Sequence, residues 1–249
     1  MIKHIPNALT CLNLVCGFLA IVLSFQGEPM LIYASYLIFV ATVIDFLDGF
    51  AARTLNAHSS IGKQLDSLAD MVSFGLAPGI LAFQLVNLSI NAEAIDQRYL
   101  YYAFLFLPAL IPLFSALRLA KFNIDENQTN SFTGLATPSS AILIASIILV
   151  YLTTENSELQ NLILNKTAIA ALIIIDSYLM VSNIPMFSLK FKSASFQANK
   201  TQYIFIGFAV LLFCVLRLYS LPIIIFSYIL ASLFMWSIKM KRQNSLPVV

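Results

Sequence analysis

Eight apolar runs, at about 8–25, 31–53, 62–87, 99–121, 138–154, 167–184, 202–219 and 221–239, divide this 249-residue chain. The breaks between them are polar, among them QGEP, NAEAIDQR, TTENSELQ and the longer NIDENQTNSFTGLATP. A helix needs roughly 20 apolar residues to cross the hydrocarbon layer of a bilayer. The pattern predicts an all-α fold: a polytopic integral membrane helix bundle of about eight transmembrane helices, one domain over residues 1–249. Composition agrees, since 10% of residues are charged against about 25% in a soluble domain. The first run has no good small-residue cleavage site after it, LSFQGEPM being a poor one, so it reads as a mature helix rather than a signal peptide.

Lys and Arg are distributed unevenly over the two ends of these runs. One side collects Lys3, Arg53, Lys63, Arg118, Lys121, Lys190, Lys192, Lys200, Lys239, Lys241 and Arg242, while the other has Arg98, Lys166 and Arg217. Eleven against three predicts that both termini are cytoplasmic, as in a bacterial inner or plasma membrane. Nothing resembles a basic patch for nucleic acid. Cys11, Cys16 and Cys214 form no CxxC or Cys/His cluster and read as small core hydrophobes. Small residues in GLAPG, 75 to 79, read as close helix packing with a kink at Pro78.

Against this background the stretch DFLDGFAARTLNAHSSIGKQLDSLAD, residues 45 to 70, is anomalous. Asp45 and Asp48 are three apart, and Asp66 and Asp70 four apart, so on helices each pair shares one face. The short cytoplasmic linker makes the two helices antiparallel neighbours, with the pairs facing each other near the membrane surface. An Asp within a span costs about 2.5–3.5 kcal/mol, so four cost roughly 10–14 kcal/mol uncompensated. Arg53 and Lys63 offset only about half of that charge. Divalent cations with oxygen ligands offset all of it, and Mg²⁺ or Mn²⁺ suits carboxylates together with a substrate phosphate. Two such ions form the clamp used for displacement at phosphorus. Gly49 and Gly62 leave room for a bulky group beside the carboxylates, and Arg53 is placed to pair with a phosphate. Asp176 is a lone intramembrane acid that reads as structural, and His58 as a solvated loop residue.

Written as D-x2-D-G-x2-A-R-x8-G-x3-D-x3-D, the stretch resembles the signature of the CDP-alcohol phosphotransferases, with Asp45, Asp48, Gly49, Ala52, Arg53, Gly62, Asp66 and Asp70 at its fixed positions. PNALTCLNLVCGF, residues 6 to 18, resembles that family's N-terminal, nucleotide-holding segment. DSLADMVSFGLAPG, ALRLAKFN, FTGLATPSSA and MVSNIPMFSLKFK resemble its serine-using branch, with Ala136 standing where a proline is expected after FTGL. The resemblance implies that Asp45, Asp48, Asp66 and Asp70 hold two divalent cations, Asp45 and Asp66 bridging them, and that Asp70 is also the general base. It implies that Asn7, Ala8, Leu9, Thr10, Cys11, Gly49, Ala52, Arg53, Ser59 and Gly62 contact the CDP-alcohol. The substrates it implies are CDP-diacylglycerol and L-serine, giving phosphatidylserine and CMP in a homodimer within the bilayer. For the serine carboxylate, Arg118, Lys121 and Asn123 cluster within one matching segment, and Arg118 offers a bidentate grip.

Three other readings compete. Another alcohol, glycerol phosphate or inositol, could be the acceptor within the same family. An intramembrane prenyltransferase would place its two acidic motifs far apart in the chain, whereas these four aspartates fall within 45 to 70. A cation transporter would favour carboxylates nearer the midplane and has no need of the Arg53 and glycine spacing.

Overall fold

The protein is described from a computed structural model, which covers residues 4–57, 59–92, 97–124, 132–187 and 197–244. His58, Lys3 and the 188–192 end of the MVSNIPMFSLKFK segment lie outside the described residues. Eleven α-helices carry the fold among the described residues: α1 (Ile5–Ser24), α2 (Glu28–Thr54), α3 (Ser60–Asp70), α4 (Ala77–Ala92), α5 (Arg98–Phe106), α6 (Leu110–Ile124), α7 (Thr137–Thr153), α8 (Ser157–Ile163), α9 (Lys166–Val181), α10 (Lys200–Leu216) and α11 (Ser220–Asn244). A π-helical segment, Met71–Leu76, joins α3 to α4 without a break. The only strands among these residues form a two-residue antiparallel ladder of β1 (Phe132–Thr133) with β2 (Pro185–Met186), pairing Phe132 with Met186.

Helix starts follow the chemistry of their first turn. Pro6, Pro29 and Pro138 stand where α1, α2 and α7 begin, positions whose N–H has no helical partner in any case. Ser59 caps α3, its Oγ accepting from Gly62 N at 3.0 Å, and Asn165 caps α9 by accepting from Ala168 N at 3.0 Å.

All eight expected runs are helical, but they do not make eight uniform spans. Five stretches are long and apolar enough to cross a membrane: Ile5–Ser24, Glu28–Thr54, Ser60–Asn91, Arg98–Ile124 and Lys200–Ile238. A sixth arises if α8 and α9, bent by 52° at their junction, act as one. The difference lies in helix length. The run expected at 138–154 is a 17-residue helix and that at 167–184 a 16-residue one, both short of roughly 20 residues. The last two runs join through Arg217, whose φ of 49° turns the chain between α10 and α11.

The core lies where α1, α2, α4 and α7 meet, around Ile38, Phe74, Leu81, Leu85, Ile144 and Ile148. Peripheral α10 has no buried residue and presents apolar side chains such as Leu211 and Val215 outward. Small residues bring the inner helices together. A Cβ on Gly17 would sit 2.7 Å from the Ser73 Cα, and one on Gly79 would sit 2.8 Å from the Pro112 ring. Gly79 thus packs as the sequence implied. Of the cysteines, Cys16 alone joins the core, since Cys11 and Cys214 are exposed. A lone small apolar side chain on a lipid-facing surface has no aqueous penalty to escape.

Gly17→Val should force α1 away from the π-helical segment, lowering stability by about 1–3 kcal/mol. In detergent this should read as a fall of roughly 2–12 °C in the thermal midpoint. Gly207→Val, where nothing lies within 4 Å, should leave the midpoint in place.

Candidate active site

Helices α2 and α3 each pack against α1, and these contacts build the site. Helical spacing turns each aspartate pair to the same face, and the five-residue connection folds the two faces together. One carboxylate oxygen from each of Asp45, Asp48 and Asp66 lies within 4.8 Å of the other two. Asp70, one turn beyond Asp66, is in hydrogen-bonding contact with Asp45. The structure thus brings all four predicted aspartates into one cluster.

Helix α1 supplies the other side of the cluster. The Thr10 hydroxyl donates to Asp48 Oδ2 at 2.7 Å, and Asn13 Nδ2 donates to Asp70 Oδ1 at 3.4 Å. Asp48 itself is 5% exposed. The donor set consists of carboxylates, hard oxygen ligands, and buried like charges this close are relieved either by a shared proton or by a cation between them. The residues present therefore fit a bound metal ion.

A cleft of about 630 Å³ opens beside the cluster, with Asp48 and Asp66 in its wall. Asn7, Thr10, Gly49, Ala52, Arg53, Ser59 and Gly62 also line it, as do Pro6 and Lys63. It pairs two carboxylates with two cationic side chains, which suits a ligand carrying phosphates. Ala8, Leu9 and Cys11 are not in its wall. Ala8 and Cys11 are exposed on the outside of α1, and Leu9 packs against the core, because a helix cannot turn five consecutive residues to one side.

The two glycines of the signature do different jobs. A Cβ on Gly49 would meet nothing nearer than Arg53 Nη1 at 4.0 Å, so its open space belongs to the cleft. A Cβ on Gly62 would sit 3.0 Å from Asn7 Oδ1 and 2.9 Å from Ser59 Oγ. Gly62 therefore lies in the cleft wall and also packs closely against Asn7 and the α3 cap.

Arg118, on α6, lies within electrostatic reach of Asp70. Its Nε is buried with no hydrogen-bond partner. With Lys121, Thr133, Ser182 and Asn183 it lines a small polar hollow. Asn123 is not in that hollow. Its Nδ2 donates to Ser67 Oγ at 2.9 Å and its carbonyl accepts from Lys63 Nζ at 3.3 Å, tying α6 to α3. Asp176 sits apart, 2% exposed, accepting from Ser140 Oγ at 2.5 Å, and so has the structural partner expected of it.

Asn13, Ser182 and Asn183 escaped the sequence reading. Asn13 had a signal, since Pro6, Thr10 and Asn13 fall three to four apart on an otherwise apolar helix. Ser182 and Asn183 fall within the MVSNIPMFSLKFK segment but were not singled out in it; they follow the end of α9, which packs against α6.

Residues 3–180 match the CDP-alcohol phosphatidyltransferase family, so α10 and α11 lie beyond the matched region. The chain is 37% identical over 183 residues to the archaetidylserine synthase of Methanothermobacter thermautotrophicus, spanning 72% of this chain and 68% of that protein. It is 33% identical over 187 residues to the CDP-diacylglycerol–serine O-phosphatidyltransferase of Bacillus subtilis, spanning 73% and 89%. With the Helicobacter pylori protein of that name it shares 31% identity over 147 residues, 58% of this chain and 57% of the relative.

The cluster predicts a measurable metal affinity. In Mn²⁺ titrations followed by electron paramagnetic resonance, Asp45→Asn and Asp66→Asn should each weaken binding by more than about tenfold. Lys121→Ala should bind Mn²⁺ as the unaltered protein does.

Proposed function

This chain belongs to the CDP-alcohol phosphatidyltransferase family, and from that premise we propose that it makes phosphatidylserine and CMP from CDP-diacylglycerol and L-serine. The observation that carries the proposal is the aspartate cluster set into the wall of a phosphate-sized, part-cationic cleft. The relatives named above, each called a serine phosphatidyltransferase or an archaetidylserine synthase, support serine as the acceptor.

In this reading the nucleotide end of CDP-diacylglycerol occupies the large cleft, with Arg53 and Lys63 against its phosphates and Gly49 giving the pyrophosphate a close approach. Its acyl chains stay in lipid, which explains a site at the membrane surface. Asp45, Asp48, Asp66 and Asp70 are the residues that would hold two divalent cations, Mg²⁺ or Mn²⁺. When bound, the two ions supply charge neutralisation at the transferred phosphorus. Asp70 accepts the proton of the serine hydroxyl. The serine oxygen bonds to the phosphorus that carries diacylglycerol, and the bond from that phosphorus to CMP breaks.

The acceptor enters from the Arg118 side. A buried guanidinium with an unused Nε, close to the base and beside Lys121, is chemistry for a carboxylate. Serine has a carboxylate, whereas inositol and glycerol do not. The proposal extends to eight crossings, with α7, α9, α10 and α11 each one span, to cytoplasmic termini and site, and to a homodimer.

Purified protein with Mn²⁺ and CDP-diacylglycerol should release CMP on addition of serine, and not with inositol, glycerol or glycerol phosphate. Release with one of the others and none with serine would reassign the acceptor. Arg118→Ala should raise the serine KM by more than about tenfold, the loss of a charge-assisted pair, while the CDP-diacylglycerol KM stays put. Unchanged serine dependence would remove Arg118 from the acceptor pocket.

A further inference from the structure

Helix α1 is apolar apart from one inward line, and that line ends on the aspartates. Asn13 is 0% exposed and grips the neighbourhood of Asp70 twice. Its side chain donates to the Asp70 carboxylate, and its main-chain carbonyl accepts from Ser73 Oγ at 2.9 Å. Ser73 belongs to the π-helical segment that begins at Met71, immediately after Asp70. Gly17, one turn further along α1, lets the same segment press against the helix. One residue therefore fixes both the carboxylate and the backbone turn that carries it.

The rest of the carboxamide shows why this is more than packing. Asn13 Oδ1 is buried with no hydrogen-bond partner. A leucine would fill the same space without an unmatched interior oxygen. What a leucine lacks is the N–H on Asp70. A π-helical turn is likewise a less stable backbone than continuous α-helix and occurs mostly at functional sites.

We propose that Asn13 is the positioning residue for Asp70, setting the direction of its carboxylate toward both metal and acceptor hydroxyl. Thr10 does the matching service for Asp48, so α1 orients one ligand from each end of the cluster. The proposal rests on the reading of Asp70 as base and metal ligand given above. Its consequence is specific: losing Asn13 slows the chemical step without weakening either substrate, because Asn13 lines neither the cleft nor the hollow.

The test uses Asn13→Leu, of equal size and without a donor, with Asn13→Ala as the second variant should the first misfold. Relative to the unaltered enzyme, kcat should fall about ten- to a hundredfold. Both substrate KM values and the thermal midpoint in detergent should hold. Mn²⁺ affinity should weaken in the Asn13 variant, and the same substitution should add nothing in an Asp70→Asn background. A full kcat with unaltered Mn²⁺ affinity in Asn13→Leu or Asn13→Ala overturns the proposal. So does an equal Mn²⁺ loss with and without Asp70. Failure of the underlying reading looks different: Asp70→Asn itself would then turn over normally.

Discussion

Four carboxylates crowded within an apolar bundle repel one another and lose the solvation that would normally offset this. That unbalanced charge is the constraint around which the rest of the molecule is arranged. It calls for cations from solution, and so for a site that opens to water at one end of the helices. It calls also for neutral donors that hold the carboxylates in place. Thr10 and Asn13 are such donors, brought to the carboxylates by the packing of α1 on α2 and, at Gly17, on the π-helical segment.

The aspartates have two faces, and different chemistry meets each. Asp48 and Asp66 look into the large cleft with Arg53 and Lys63, suited to a nucleotide diphosphate. Asp70 lies toward Arg118 and its small hollow, suited to a small carboxylate-bearing acceptor. Phosphoryl transfer needs its attacking and leaving groups on opposite sides of phosphorus. The hollow is walled by segments distant in sequence, held together by the β1–β2 pairing and by Leu135 N donating to Leu179 O at 2.9 Å.

Much of this was legible in the sequence, for a physical reason. Asp45, Asp48, Asp66 and Asp70 sit on two adjacent helices, where spacing alone fixes which face a residue takes, so their convergence followed from arithmetic. The helical character of all eight runs followed from apolar length in the same way. What stayed illegible depends on contacts between remote segments. Asn123 shares a segment with Arg118 yet turns to Ser67, since five residues along a helix is more than a full turn. Ala8, Leu9 and Cys11 share a segment with Thr10 yet face away from the cleft. Gly62 lines the cleft and in addition packs against Asn7 and Ser59, a contact the sequence does not disclose. Run number does not translate directly into span number, because α7 and α9 are shorter than roughly 20 residues and α10 with α11 makes one continuous 39-residue apolar stretch.

The central claim is that the aspartate cluster acts as a pair-of-cations site for phosphatidyl transfer. The most direct test counts Mn²⁺ bound per chain in the presence of CMP and follows CMP release from CDP-diacylglycerol and serine as the metal is withdrawn. The account predicts two bound ions, loss of turnover on chelation and recovery on adding Mn²⁺ or Mg²⁺. CMP release that continues undiminished in excess chelator would contradict it.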